Sequence, residues 1–536
     1  MRLLAYLDLE RRDLLAAGAL LAVAFGLRFF SPLMPDLFAH PLSGSPVGNC
    51  VQSTPVDARG TPGALCGLAY PFQRGYAARE GVPPQPPEGE IFDEIYFGVF
   101  AHDDLKGISY FDPEPPLSKE FIAAGEWLWG WWKATFLGYH GSYADLGFEP
   151  FGWRIMACIF GSLTVPMMYL LALRLWPDRF FALAAGLLAC FDGMFFIQSR
   201  IGMIDIFPIF LILLSYWTFL LHWRSRTPRE SAVTLLATGV CVGLAVAAKW
   251  ISLAALATML FFLLVRFVRR HLDVRLGAGE GVWTWGRGEG PAVPGGMALG
   301  AYLPAALAAL LALPAAIYVA SWFPFFMRGQ FHSLGDLWKY QVDAYTYHAH
   351  LTATHPYGSK WFSWPFLYRP VAYYFENSGL GVDQWTGHGL VAWMVNLGNP
   401  WIWWSSLPCL LLLAWFAVRE RSFPAALILT GFVTQYLPWS RITRVVFLYH
   451  MFGGLIFMVL ALAFVLARLG RLGGVELQLG QRATLRVSGR ALAYAHLAAA
   501  IAFFVYFYPL WTGLPMSDKA LLSGFPSGKA WFPTWV

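Results

Sequence analysis

Residues 152–173, "GWRIMACIFGSLTVPMMYLLAL", form an apolar run in which Arg154 is the only charged residue. A helix of this length matches the thickness of the hydrocarbon core of a bilayer. Similar runs recur along the chain, and we predict from them about eleven membrane-spanning helices. They lie at roughly 13–31, 152–173, 180–198, 203–222, 231–248, 251–267, 298–322, 401–418, 423–439, 445–467 and 489–511.

The composition of the 536-residue chain indicates the same class. Hydrophobic residues make up 57% of the chain and charged residues only 13%, and the mean hydropathy is +0.51. A soluble core of this size needs more surface charge, whereas lipid solvates apolar side chains directly. We therefore predict an all-α polytopic membrane protein. The net charge of +6 does not by itself indicate nucleic acid, and we expect no nucleic-acid partner.

The orientation follows from Lys and Arg near the helix ends, which favour the cytoplasmic side. With the N-terminus inside, every predicted inner connection is basic, for example at Arg11, Arg12, Arg174, Arg179, Arg224, Arg266, Arg419, Arg421, Arg468 and Arg471. An odd number of spans then places the C-terminus outside. The predicted order is a cytoplasmic N-terminus and first span (1–31), an external loop (32–151), spans two to seven with a cytoplasmic linker at 271–296 (152–322), a second external loop (323–400), and four last spans with an external C-terminus (401–536).

Carboxylates gather in the first external loop, in "FDEIYFGVFAHDDLKGISYFDPEPPLSK" at 92–119. Apolar neighbours around Asp93 and Glu94 predict partial desolvation at the membrane surface, which raises the basicity of a carboxylate and suits a general base. Neighbouring residues on a helix point about 100° apart. One of the pair can therefore face a reacting hydroxyl while the other pairs with a cation. The alternative is a solvated acidic loop, which is how we interpret Asp103 and Asp104.

Two other features belong to this loop. Residues 117–134 predict a Trp-rich amphipathic helix in the interface. Residues 41–90 are rich in Pro and Gly and predict an irregular excursion, in which Cys50 and Cys66 can form a disulfide on the oxidising side. The remaining cysteines fall in predicted spans and are interpreted as packing residues.

Several cations stand at predicted external ends of spans, against the positive-inside trend. They are Arg154, Arg200, Lys249, Arg441 and Arg444. Such a cluster needs an anionic partner, and a lipid phosphate supplies one at the right depth. Interfacial snorkelling, or an internal ion pair such as Arg200 with Asp205, is the alternative for some of them.

An ordered set of segments resembles the bacterial protein O-mannosyltransferases. These segments run from "FDEIYFGVF" and "PEPPLSKEF" through "GWRIMACIF", "QSRIGMIDIF", "AAKWISLAAL" and "HPYGSKWFSWPFLYRP" to "RVVFLYHMFGGL" and "YFYPLW". The resemblance implies a membrane glycosyltransferase of the GT-C architecture in the plasma (inner) membrane, active on the external side. It further implies transfer of mannose from polyprenyl-phosphate-mannose to Ser or Thr of secreted proteins, without a cofactor. Membrane lipid and the secretion translocon are further expected partners.

The family's residues map onto matching positions of this chain. The resemblance makes Asp93 the general base of the acidic pair with Glu94, and it gives Arg154 and Lys249 to the donor phosphate, with Arg200, Arg441 and Arg444 as further candidates. Substrate-binding positions are implied at His355, Tyr357, Trp361, Trp364, Arg369, Tyr449 and His450. The chain departs from the family at Glu114, where a His is usual, and the loop at 323–400 has no room for the β-trefoil domain of eukaryotic members.

Metal binding is not expected. His348, His350 and His355 match no zinc spacing, and cations alone can stabilise a departing phosphate. Two alternatives to protein mannosylation remain. A related enzyme could transfer another sugar from a polyprenyl phosphate to a glycolipid, and a transporter would instead need inverted repeats and charges near the bilayer midplane.

Overall fold

The computed structural model describes residues 9–30, 92–276, 293–377, 382–383, 387–479, 483–525 and 527–536. Each of the eleven predicted spans contains helix in these ranges. Eight helices are long and apolar enough to cross a membrane, namely Pro150–Leu175, Ile206–Trp223, Pro228–Ala248, Trp250–Val268, Leu299–Met327, Pro400–Arg419, Leu448–Gly470 and Gly489–Thr512. The all-α fold class is confirmed, whereas the number of crossings stays a prediction.

The described helices are numbered in chain order. They are α1 (Arg11–Phe29), α2 (Glu94–Lys106), α3 (Leu117–Phe136), α4 (Tyr143–Gly147), α5 (Pro150–Leu175), α6 (Arg179–Cys190), α7 (Gly193–Gln198), α8 (Ile206–Trp223), α9 (Pro228–Ala248), α10 (Leu253–Leu276), α11 (Leu299–Leu307), α12 (Leu313–Ser321), α13 (Phe323–Met327), α14 (Leu334–His350), α15 (Pro400–Arg419), α16 (Phe423–Tyr436), α17 (Phe452–Gly470), α18 (Gly489–Thr512) and α19 (Asp518–Leu522). A π-helical turn at Ala308–Ala312 joins α11 to α12.

The helix α17 lies at the centre of the bundle. In the span Leu448–Gly470 that contains it, 83% of the most apolar 18-residue stretch is buried inside the protein. The corresponding share is 17% for Leu299–Met327 at the periphery. The central helix contacts α6, α15, α16 and α18. A helix that is apolar all round is expected either in a core or in lipid, and these two spans show one case of each.

Basic residues meet at one end of the bundle, where ion pairs join the helix ends. Arg468 lies 2.6 Å from Glu420, Arg471 pairs with Asp178, and Arg179 lies 2.8 Å from Asp13. These are the ends that the sequence predicts to be cytoplasmic. The ends of α9 and α16 and the start of α17 lie at the opposite end of the bundle, next to the loops that the sequence predicts to be external.

The Trp-rich helix predicted for 117–134 is confirmed as α3, which exposes Trp127, Trp131 and Trp132, whereas its place in the membrane interface stays a prediction. A small antiparallel sheet was not predicted. Its order is β1 (Val371–Glu376), β2 (Leu390–Asn396) and the two-residue strand β5 (Met516–Ser517). A hairpin of β3 (Val475–Leu479) and β4 (Ala483–Val487) joins α17 to α18. The sheet ties the second external loop to the segment after α18.

The prediction that Asp103 and Asp104 are solvated loop charges is wrong. Both lie on α2, and Asp104 pairs with Arg328, whose guanidinium lies over the Phe325 ring. Such a pair links the first loop to the second. Cys50, Cys66 and the excursion at 41–90 lie outside the described residues, as do 277–292 of the predicted linker, since α10 continues to Leu276. The cysteines at 158, 190, 241 and 409 are free and buried.

Candidate active site

Asp93 and Glu94 face different surroundings at the start of α2. Glu94 is fully buried and binds Arg154 through both carboxylate oxygens, and the backbone N–H of Gly202 donates to Glu94 Oε1 at 2.7 Å. A buried carboxylate whose two oxygens are both bound is poorly placed to take a proton from a substrate. Glu94 therefore anchors α2 to α5, and the predicted catalytic role of Glu94 does not fit its position.

Asp93 is partly accessible and precedes the first residue of α2. Its carboxylate accepts no hydrogen bond from the residues that the structure describes. Burial, together with the nearby carboxylate of Asp205, raises the pKa of Asp93 to about 6, against the opposing effect of Lys249. A carboxylate with a pKa in this range is ionised at neutral pH and is a stronger base than an exposed Asp.

An aromatic cluster fixes the backbone before Asp93. Phe92 has a φ of 57°, a left-handed conformation that is unfavourable for a bulky residue. The Phe92 ring stacks on Tyr373 at 4.8 Å and meets Tyr449 edge-on at 6.1 Å. Gln198 and Asn396 both donate hydrogen bonds to the Tyr373 hydroxyl, at 2.8 and 2.6 Å. Strained backbone held by its surroundings is characteristic of functional sites.

A cavity of 780 Å³ lies beside this cluster, and we call it the cationic cavity. Three cationic side chains and one carboxylate line it, namely Lys249, Arg441, Arg444 and Glu114. Lys249 Nζ lies 2.7 Å from Asp205 Oδ1 and 4.0 Å from Glu114 Oε1. In the described part of the chain, neither arginine has a carboxylate partner, so their charge is available to an anion.

The other wall of the cationic cavity is apolar and comes from the turn at Ile251 and the start of α10, including Leu253, Ala254 and Ala257. Cations beside an apolar groove suit a ligand that joins a phosphate to a long hydrocarbon chain. His450, one of the predicted substrate-binding residues, also lines this cavity.

A second cavity of 920 Å³, which we call the loop groove, adjoins the first. Its walls are the irregular segments 349–355, 358–362 and 442–446, with Ser440. Ile442, Thr443, Arg444 and Ala349 line both cavities. Two of the predicted substrate-binding residues, His355 and Trp361, line the loop groove, and the His355 ring lies 6.5 Å from Phe92. Asp93 itself lines neither cavity, but its neighbour Phe92 contacts His355 of the loop groove and its carboxylate interacts electrostatically with Lys249 of the cationic cavity.

Two predicted phosphate ligands lie elsewhere. Arg154 is buried against Glu94, and Arg200 is buried over the Phe196 ring, where Nη1 donates to the Trp511 carbonyl at 3.0 Å. Neither side chain lines the cationic cavity, so a donor-phosphate role does not fit either position. The ion pair considered between Arg200 and Asp205 is also not formed, because Asp205 binds Lys249.

The remaining predicted residues shape the loop. Trp364 is buried and donates to Ser359 Oγ at 2.9 Å. Arg369 lies over the Tyr357 ring and donates to the backbone carbonyls of Pro356 and Thr534. Tyr449 is buried in the cluster around Phe92. Trp364, Arg369, Tyr357 and Tyr449 line neither cavity, and their contacts support the loop rather than a ligand.

The described residues bring no three or more His, Cys, Asp or Glu side chains together into a group that could hold a metal ion. His348 lines the cationic cavity, while His350 and His355 line the loop groove.

Sequence reasoning missed Asp205 and Tyr373 as parts of the site. Asp205 could have been found, because a carboxylate at the end of an apolar run needs a cationic partner, and Lys249 occupies the corresponding position. Tyr373 carried no such signal, since a Tyr in "VAYYFE" is ordinary for a strand.

Two family models match almost all of the described external and membrane parts. Residues 86–328 match the model described as dolichyl-phosphate-mannose-protein mannosyltransferase, and residues 333–535 match the C-terminal four-transmembrane region of protein O-mannosyltransferase. The polyprenol-phosphate-mannose–protein mannosyltransferase of Corynebacterium glutamicum is 26% identical over 83% of this chain and 88% of that protein. The enzyme of that name from Mycobacterium tuberculosis is 25% identical over 83% of this chain and 86% of its own.

A solved structure shows the same fold. The Saccharomyces cerevisiae protein O-mannosyltransferase Pmt1–Pmt2 complex, bound to the sugar donor, superposes with a TM-score of 0.69 over 100% of this chain and 94% of that chain, at 14% identity. The architecture expected from the resemblance is therefore confirmed.

Proposed function

Because the chain belongs to the protein O-mannosyltransferase family, we propose that it transfers mannose from polyprenyl-phosphate-mannose to Ser or Thr hydroxyls of secreted proteins. The names of its relatives specify polyprenol-phosphate-mannose as the donor and protein as the acceptor. The observation that supports it best in this chain is the position of Asp93, a carboxylate free of hydrogen bonds among the described residues, near Lys249 on one side and Phe92 and His355 on the other.

The cationic cavity is the proposed donor site. The phosphate lies among Lys249, Arg441 and Arg444, and the start of the prenyl chain follows the apolar wall of α10. When the bond between the anomeric carbon and the phosphate oxygen breaks, the phosphate gains a negative charge. Fixed cations in a partly desolvated site stabilise that charge. The chemistry therefore requires no metal.

The loop groove is the proposed acceptor site. Its walls are irregular backbone segments with exposed Thr352 and Thr354, and such segments offer N–H and C=O groups to an extended peptide. Asp93 takes the proton from the attacking Ser or Thr hydroxyl, whose oxygen forms the new bond to the anomeric carbon. The proton ends on Asp93 and the electron pair of the broken bond leaves with the polyprenyl phosphate.

The proposed location is the plasma (inner) membrane, with the site on the external side. The basic ends held together by Arg468, Arg471 and Arg179 support this orientation, since such residues favour the cytoplasmic face. Membrane lipid is a proposed partner at the exposed Trp face of α3, and the secretion translocon is a proposed source of acceptors.

The test is an assay of membranes that contain the protein, with labelled polyprenyl-phosphate-mannose and a panel of peptides with and without Ser or Thr. We expect label on hydroxyl-containing peptides only, with no loss in a metal chelator. A polyprenyl phosphate that carries a different sugar serves as control. Transfer of that sugar, or transfer to lipid in place of peptide, would favour the related glycolipid enzymes.

A further inference from the structure

Glu114 is the one carboxylate among the residues that line the cationic cavity. Its Oε1 lies 4.0 Å from Lys249 Nζ, whereas Asp205 already accepts a hydrogen bond from that amine at 2.7 Å. The side chain of Glu114 accepts no hydrogen bond from any described residue. Glu114 therefore presents an acceptor to the cavity that its own surroundings leave unused.

The backbone around Glu114 is held firmly. Lys119 pairs with the buried Asp112 and donates a second hydrogen bond to the Glu114 carbonyl at 2.8 Å. Tyr340 on α14 accepts from the Asp112 N–H at 2.8 Å and donates to the Asp112 carbonyl at 3.0 Å. Two prolines, Pro115 and Pro116, follow Glu114 directly. An acceptor fixed in this way is pre-organised for a ligand.

The charge state of Glu114 is set by its neighbours. Burial alone would raise the pKa of the carboxyl, but Lys249, followed by His348, Lys119 and Arg444, lowers the pKa below its usual value. The group therefore stays ionised and accepts hydrogen bonds only. Burial also lowers the pKa of His348 on the same cavity wall, against the opposing effect of the Glu114 carboxylate.

An ionised carboxylate repels a phosphate, so its presence among the cations weakens the binding of a bare lipid phosphate. Besides the phosphate, the donor carries one other polar group, the sugar, whose hydroxyls are hydrogen-bond donors. We propose that Glu114 accepts hydrogen bonds from the mannose of the bound donor and determines which sugar is used. This inference rests on the proposed function.

The test compares the parent protein with Glu114→Gln in the use or binding of two ligands. The first is polyprenyl-phosphate-mannose, by kcat/KM, and the second is sugar-free polyprenyl phosphate, by competition. We expect Glu114→Gln to reduce kcat/KM for the mannose donor about 10-fold to 100-fold, the effect of one charge-assisted hydrogen bond. Competition by polyprenyl phosphate should be unchanged or stronger, because a negative charge has been removed.

A panel of monodeoxy-mannose donors supplies a second readout. The parent should discriminate strongly against the donor that lacks the hydroxyl bound by Glu114, since a site built to bind a hydroxyl rejects its deoxy analogue. Glu114→Gln should lose most of that discrimination, and Glu114→Asp should retain part of it. Asp343→Asn, an exposed carboxylate on α14, is the matched control and should resemble the parent.

Unchanged sugar discrimination in Glu114→Gln, or equal weakening of both ligands, would overturn the inference while the proposed function stands. If Glu114→Gln fails to accumulate, the same comparison is made with Glu114→Asp, which keeps the charge. A parent protein that transfers no mannose would overturn the proposed function and this inference with it.

Discussion

Lys249 donates a hydrogen bond of 2.7 Å to Asp205 at the rim of the cationic cavity. The two residues come from the C-terminal end of α9 and the N-terminal end of α8. The carboxylate of Asp205 raises the pKa of Asp93 and the amine of Lys249 opposes that rise. This pair therefore connects the proposed phosphate site electrostatically to the proposed base.

Replacement of the base is the first prediction. Asp93→Asn keeps the shape of the side chain but cannot accept the hydroxyl proton, so turnover should fall roughly 10²-fold to 10⁴-fold. Donor affinity should remain within a factor of about 3, because the phosphate cations are intact. The measurement is single-turnover transfer at saturating donor, with Asp103→Asn as control. Near-parental transfer by Asp93→Asn would require another base.

The pH profile is the second prediction. The pKa of about 6 for Asp93 means that the base is protonated below pH 6 and ionised above it. Transfer should therefore rise about tenfold per pH unit up to pH 6 and level off above. Because the folded-state pKa lies above that of the unfolded chain, ionisation of Asp93 destabilises the fold as the pH rises. Asp93→Asn should thus unfold at the same or a higher temperature at pH 8, and a rate that is flat down to pH 4.5 would contradict this assignment.

The third prediction separates stability from donor binding. Arg154→Ala removes the cation that binds both oxygens of the buried Glu94 carboxylate, and breaking a buried ion pair in this way typically costs about 3–5 kcal/mol in folding free energy. The loss should appear as a lower unfolding temperature in detergent and a lower yield. The double variant Glu94→Gln/Arg154→Met should recover much of the stability. A stable Arg154→Ala protein with only a raised donor KM would restore Arg154 as a phosphate ligand.

The fourth prediction concerns the phosphate. Arg444→Gln should weaken donor use by about 1.5–3 kcal/mol, the range for charge-assisted hydrogen bonds, and should leave the unfolding temperature nearly unchanged, since Arg444 has no ion pair among the described residues. Lys249→Ala should weaken donor use similarly but should also destabilise the protein, because the Asp205 carboxylate loses the amine that donates to it. Lys339→Ala, an exposed change on α14, is the control. Unaltered donor kinetics in both cavity variants would place the phosphate elsewhere.

The fifth prediction concerns topology. A reporter active only in the periplasm should be active when fused after residue 536 and silent when fused near residue 285. The physical reason is the basic end of the bundle, which should remain in the cytoplasm. The reverse pattern would put the proposed site on the wrong side for a donor and acceptor presented outside the cell.

The general architecture could be predicted because hydropathy alone selects helices in lipid. The different roles of Asp93 and Glu94 could also be predicted from the sequence, since consecutive helical residues point in different directions. Which cation pairs with the buried acid was not accessible. Arg154 and Arg444 both stand at the ends of apolar runs. Only the fold brings Glu94, which is remote in sequence, next to Arg154, while Arg444 faces the cationic cavity.

The small sheet escaped prediction for a different reason. The strand β5 has two residues, and its pairing with β2 joins segments more than a hundred residues apart. No local period marks such a strand, and the connection between β1 and β2, residues 377–389, is longer than the two to five residues of a recognisable hairpin loop.

The wall formed by Ile442, Thr443 and Arg444 is common to both cavities. Because one segment separates the two cavities, a shift of this segment that widens one cavity narrows the other. A larger side chain in place of Thr443 therefore changes the width of the loop groove as well as that of the cationic cavity. Substitutions that broaden the choice of acceptor peptide at this wall also change the shape of the proposed donor site. Lipid preference and acceptor preference should consequently vary together across variants of these three positions.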